Sequence, residues 1–123
     1  MYHIAIEQHF DAAHFLRGYR GKCEAMHGHR FGVVVKVEAA GLNDIGLAYD
    51  FADLKRHLAE VLARFDHTCL NEVPPFDKIT PSSEHIAATI YAELKPKLSG
   101  APVTLSSVEV WESPQSGVIY TPD

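Results

Sequence analysis

Two stretches of apolar–polar alternation, followed by a switch to helical spacing, restrict this chain more than any other feature. Over residues 2–13, Tyr2, Ile4, Ile6, Phe10 and Ala12 share one face, while His3, Glu7, His9 and Asp11 share the other. Residues 29–40 repeat the pattern, with Phe31, Val33, Val35 and Val37 on the apolar side and Arg30, Lys36 and Glu38 opposite. A period of two places alternate side chains on opposite faces of an extended segment, so both stretches read as half-buried strands. "AAGLNDIG" breaks the second with loop residues. From Asp50 the period changes, and Phe51, Leu54, Leu58, Val61, Leu62 and Phe65 recur at helical spacing behind a plausible N-cap at Asp50. "NEVPPFDKITP" then reads as a connector. A second helix is expected with Thr80 as N-cap, Pro81 at its first position and a stripe of Ile86, Ile90, Tyr91 and Leu94, ending at Pro96. Two final strands, 103–112 and 117–121, flank "SPQSG".

The order ββααββ predicts an α+β fold in which two helices pack on one face of a four-stranded antiparallel sheet. Neither an internal repeat nor a composition break divides the chain, so residues 1–123 are expected to form one domain. So small a sheet leaves two unpaired edges, and assembly through those edges is a reasonable expectation.

Composition narrows the function classes. A chain of 123 residues buries a sufficient core without a disulfide or structural metal. A net charge of −5 without a run of like charges argues against nucleic-acid binding. No apolar stretch approaches a membrane span, and "MYHIAIEQHF" lacks the basic start and apolar core of a signal peptide. The expected setting is the reducing cytoplasm, with Cys23 and Cys69 as thiols rather than a bridge.

Parity then singles out three of the eight histidines. His14 continues the even-numbered apolar face of the first strand, just past Ala12; His27 and His29 precede Phe31 on the odd-numbered apolar face of the second. If the strands pair antiparallel, the end of the first lies beside the start of the second. His14, His27 and His29 would then converge at one end of the inner face. Three imidazoles in that arrangement match a catalytic zinc site, which leaves a fourth position open. Two other readings stay open at this point. The histidines could be separate core or loop residues bonded to backbone, or Cys23 could close a structural four-ligand site.

Taken in order, "FDAAH", "CEAMHGHRF", "DFADLK", "FDHTCLN", "TPSSEHIA" and "VEVWES" resemble the 6-pyruvoyltetrahydropterin synthase and 6-carboxytetrahydropterin synthase family, from about residue 3 to residue 120. The resemblance implies the tunnelling fold (T-fold), in which trimers close their sheets into a barrel and two trimers stack as a hexamer. It implies Zn²⁺ on His14, His27 and His29, Cys23 as the proton-abstracting thiolate, and Asp66 with His67 as its acid–base partners. Glu112, which shares parity with Val108 and Val110, matches the carboxylate that anchors the pterin ring. The implied substrate is 7,8-dihydroneopterin triphosphate, a small molecule. The short C-x3-H-G-H spacing resembles the 6-carboxy branch, which releases acetaldehyde and triphosphate and feeds 7-deazapurine (queuosine) biosynthesis. The alternatives are the pyruvoyl-forming enzyme of the same family and a non-catalytic Cys-His3 zinc module. Cys69 departs from the larger side chain common at that place in the family. Arg17, Arg20, Lys22 and Arg30 make the segment around Cys23 basic, which suits either a triphosphate or a solvated loop.

Overall fold

The computed structural model describes residues 1–21 and 24–123. Its main elements are β1 (Tyr2–His14), β2 (His27–Ala39), α1 (Phe51–Leu62), β3 (Thr68–Cys69), α2 (Ser83–Leu94), β4 (Thr104–Ser113) and β5 (Ser116–Tyr120). Short 3₁₀ turns follow β3 at Leu70–Glu72 and α2 at Lys95–Leu98.

The α+β class and the pair of helices on one sheet face agree with the alternating sequence, but the sheet itself does not match the expected four antiparallel strands. It has five, in the order β3-β1-β2-β4-β5, and β3 runs parallel to β1 against Ala12 and Ala13. Two residues are too few to display a period. This strand forms because the chain leaving α1 is stitched to β1 by polar groups. The Asp66 carboxylate accepts the Asp11 N–H at 2.9 Å, and the His67 N–H donates to the Asp11 carbonyl at 2.6 Å.

The apolar faces read from the sequence do pack together. Ile4, Ile6, Phe10, Phe31, Val33, Val35 and Val37 are buried against Leu54, Leu58, Val61 and Leu62 of α1 and Ile86, Ile90 and Leu94 of α2. Phe10 and Phe31, directly paired across β1 and β2, stack at 4.9 Å between ring centroids. Asp50 caps α1 as expected, accepting the Ala52 N–H at 2.8 Å. At α2 the cap is Ser82 rather than Thr80, and Pro81 precedes the helix. The Ser82 hydroxyl accepts the His85 N–H at 3.1 Å, whereas the Thr80 carbonyl faces His85 Nδ1 at 2.6 Å. Pro96 ends α2 by diverting the chain into the second 3₁₀ turn.

β4 and β5 join through a short turn at Pro114–Gln115, and the ladder shifts register between Trp111 and Ser113. A β-bulge of this kind re-aims the side chain at the shift, here Glu112. The Trp111 indole lies across Gly117, where a Cβ would stand 2.3 Å from Trp111 Cδ2. Its Nε1–H donates to Glu109 at 3.0 Å. Gly117→Ala must therefore push the indole away and break that bond, an overpacking cost of about 1–3 kcal/mol in urea unfolding. Adding Trp111→Ala to the variant should recover part of the loss by removing the clash.

Candidate metal centre

The antiparallel register runs from Tyr2↔Ala39 to His14↔His27, so the last residue of β1 lies opposite the first of β2. His14, His27 and His29 meet there, with ring centroids 4.7–5.3 Å apart. Local bonds set their orientation. His14, 1% exposed, has its Nδ1 2.7 Å from the Pro81 carbonyl. The His27 Nδ1 stands 2.9 Å from the Ala25 carbonyl. A carbonyl oxygen only accepts, so Nδ1 carries the proton in both rings and, in the neutral rings, Nε2 carries the lone pair. Backbone carbonyls that orient histidine in this way are the usual outer support of a metal site. Asn71 secures the chain immediately after His14. Its amide accepts the Phe15 N–H and donates to the Phe15 carbonyl, each at 3.0 Å. Burial depresses the His29 pKa, partly opposed by the Glu112 charge, which favours the neutral, ligating form.

Glu112, read from the sequence as a ring anchor, enters the same cluster. Its Oε1 is 3.1 Å from His14 Nε2 and 4.0 Å from His29 Nε2. One donor atom from each of His14, His27, His29 and Glu112 lies within 4.8 Å of the others. Three imidazoles and a carboxylate are a donor set suited to Zn²⁺. Neither His14 Nε2 nor His29 Nε2 has a hydrogen-bond partner among the described residues, although both atoms are buried. Such orphaned, inward-facing nitrogens fit a metal better than they fit a packed core. Glu112 also borders two cavities. One, of about 260 Å³, is lined by Leu16, Ser82, Ser83, Glu84 and Gly117; the other, about 660 Å³, opens on the sheet face away from the helices.

Asp66 and His67 do not join this cluster. They form a second group with Asp11, the Asp66 carboxylate standing 3.0 Å from His67 Nδ1. The His67 ring is 77% exposed, and its backbone takes a left-handed φ of 60°, held by the bond to Asp11. The N–H of Asp11, then His67, keeps the Asp66 carboxyl below the ordinary range. Cys23 lies outside the described residues, and Cys69 is a half-buried thiol in β3. The role of Asp11 was not legible beforehand, because it accepts and donates through backbone to residues 55 and 56 positions away. Proximity of that sort leaves no local pattern.

A helix-backed, five-stranded sheet with a histidine-rich centre at the β1–β2 end defines a small α+β protein of the T-fold class. The chain matches the family described as 6-pyruvoyl tetrahydropterin synthase over residues 3–123, and it belongs to that family. It is 38% identical to a 6-carboxy-5,6,7,8-tetrahydropterin synthase from Synechocystis, covering 98% of this chain and 93% of the relative. A Bacillus subtilis protein of the same name is 32% identical over 94% of this chain and 82% of its own length. Among solved structures, Caenorhabditis elegans 6-pyruvoyl tetrahydropterin synthase superposes with a TM-score of 0.81 at 26% identity, covering 100% of this chain and 98% of that one. No helix among the described residues is long and apolar enough to cross a membrane.

The Asp66 geometry has a consequence for acid stability. Its ionised form is favoured in the folded state, so its contribution is whole above the unfolded-chain value of about 3.9 and is lost as pH falls through the lower folded value. Asp66→Asn should therefore lower the urea midpoint near neutral pH. The gap to the wild type should close as the pH is taken down through the acid range.

Proposed function

We propose that this protein is a zinc-dependent 6-carboxytetrahydropterin synthase, a lyase that converts 7,8-dihydroneopterin triphosphate and one water to 6-carboxy-5,6,7,8-tetrahydropterin, acetaldehyde and triphosphate. The observation that carries the reading is the convergence of His14, His27 and His29, with His14 Nε2 and His29 Nε2 buried and without a partner among the described residues, in a chain with relatives named for this synthase. His14, His27 and His29 would hold Zn²⁺, which supplies Lewis-acid stabilisation for the oxygens of the substrate side chain. Cys23, four positions before His27, takes a proton from a carbon beside a hydroxyl. A free thiol has a pKa of about 8.5, so it needs nearby positive charge to act as a base at neutral pH. Asp66 and His67 provide the acid–base partner, the Asp66 carboxylate standing 3.0 Å from His67 Nδ1. The Glu112 carboxylate accepts the ring N–H and amino group of the pterin side by side.

The setting that accompanies this activity is cytoplasmic, in queuosine-type 7-deazapurine synthesis. The protein works there as a homo-oligomer, a dimer of trimers, without nucleic acid or membrane partners. An exposed sheet edge supports assembly: β3 covers β1 only at Ala12 and Ala13, leaving Tyr2–Asp11 without a β3 partner.

Incubation with dihydroneopterin triphosphate tests the reading. Mass spectrometry should find 6-carboxytetrahydropterin, and an enzymatic assay should find acetaldehyde. Accumulation of 6-pyruvoyltetrahydropterin without acetaldehyde would move the protein to the pyruvoyl branch. Cys23→Ala should keep its zinc and lose roughly 10²–10⁴ of turnover, the usual worth of general acid–base catalysis. Loss of zinc in that variant would favour a closed Cys-His3 module instead.

A further inference from the structure

A strand end is a poor place for a metal ligand. Terminal residues keep few ladder bonds and open most readily, yet His14 is the last residue of β1 and stands opposite the first of β2. Pairing with β3 stops one residue earlier still, at Ala13↔Cys69. Neither ladder continues past the histidine, so its rigidity has to come from bonds made by the residues that follow it. Two sets of such bonds are present, one on each side of the chain leaving β1.

On the β2 side, Leu16 and Glu24 tie the two arms together again. The Glu24 N–H donates to the Leu16 carbonyl at 2.9 Å, and the Glu24 carboxylate accepts the Leu16 N–H at 3.2 Å. On the other side, side chains alone make the fastening. The buried Asn71 carboxamide satisfies both backbone groups of Phe15, as a neighbouring strand would. The Arg17 guanidinium then turns back on the same residue: Nη2 donates to the Asn71 carbonyl at 3.2 Å, and Nη1 donates to the Ile79 carbonyl at 3.3 Å. Its central carbon lies 5.7 Å from the centre of the Phe15 ring. Asn71 thus grips residue 15 while residue 17 grips Asn71. The other arm of the fork holds the connector two residues before Pro81, whose carbonyl stands against the His14 ring.

These contacts give one basic residue a use that its sequence neighbourhood does not suggest. Among basic residues suited to a triphosphate or to solvent, Arg17 has both outer nitrogens committed to carbonyls within the fold. A lysine could not replace it, because an ammonium is a point charge, whereas the planar guanidinium holds two acceptors at a fixed separation.

We propose that Arg17, interlocked with Asn71, is a positioning residue of the metal centre, which fixes the chain beyond His14 so that this ligand does not fray with the strand end. The inference rests on the zinc part of the reading above and is independent of the pterin. Outer supports of metal ligands are worth roughly 10–100-fold in affinity, and a support acting through the backbone path belongs at the lower end, about tenfold.

Chelator competition for Zn²⁺ and the visible absorption of bound Co²⁺, measured on the full chain, test the proposal. Arg17→Lys keeps the charge and loses the fork, so it should hold Zn²⁺ about tenfold more weakly and shift the spectrum at saturating Co²⁺. Arg17→Ala should do the same. Asn71→Ala, which frees both backbone groups of Phe15, should do at least as much, and adding Arg17→Ala to it should change little, since the two residues form one lock. Should Asn71→Ala not fold, Arg17→Lys, a conservative change at a half-buried position, still decides. Wild-type affinity and spectrum in Arg17→Lys overturn the proposal. So does a lowered urea midpoint of the metal-free variant with the Co²⁺ spectrum unmoved, which is the mark of a merely structural contact. Inorganic triphosphate supplies the last arm: if the wild type binds it and Arg17→Ala does not, with Zn²⁺ affinity unchanged, Arg17 is an anion ligand instead. A wild type that takes up neither Zn²⁺ nor Co²⁺ overturns the zinc reading itself, a result distinct from any difference among the variants.

Discussion

The pairing register of β1 with β2 governs everything else in the molecule. Thirteen consecutive pairs, from Tyr2↔Ala39 to His14↔His27, fix which residues face the helices. Because side chains alternate, a slip of one residue would turn His27 and His29 to the opposite face while His14 stayed in place. The slip is opposed by hydrophobic burial, since it would also expose Phe31, Val33, Val35 and Val37. These four are buried completely, and Phe31 is stacked on Phe10. The candidate centre is therefore assembled by core packing a few residues away, with no contribution from a metal needed to set the register.

That dependence explains which parts of the molecule were legible in the sequence. The convergence of His14, His27 and His29 followed from strand parity, because parity is a property of the backbone and not of the site. The helices were equally plain, since their apolar stripes run over several turns. What escaped was anything created by contacts distant in sequence or by a single irregular residue. β3 exists because Asp66 and His67 bond to Asp11, and two residues carry no period. Thr80 and Ser82 are equally good caps by composition, and the choice between them lies in the path of the connector. Parity placed Glu112 on the right face, but its approach to His14 depends on a bulge that no residue in "WESPQSG" announces. Asp66 and His67 were identified by resemblance, and a D-H dipeptide alone would not have distinguished their pairing from a helix stop.

Two glutamates on β4 show how environment divides one residue type into two uses. Glu109 is buried on the sheet face away from the helices. Burial pushes its pKa up, but the Trp111 N–H and Lys36 ammonium outweigh that and hold it below the usual range. Its oxygens have donors, so its charge is satisfied within the fold. Glu112 instead faces His14 Nε2, in a ring that donates through Nδ1 to the Pro81 carbonyl. A carboxylate left opposite acceptors is a demand for a ligand, and that contrast separates structural from chemical use more sharply than burial does.

The placement of His14 and His27 at facing strand ends also bears on how such a chain can diverge. The chain leaves β1 after His14 and enters β2 at His27, so the three histidines belong to the strands and not to the connection between them. Insertions or deletions within it would leave the strand register alone, as surface connections generally allow. In sequence, Cys23 falls within that connection, four positions before His27. Lengthening the connection leaves the histidines in their places. A lineage can thus vary this connection without rebuilding the histidine centre, which the strand register holds in place.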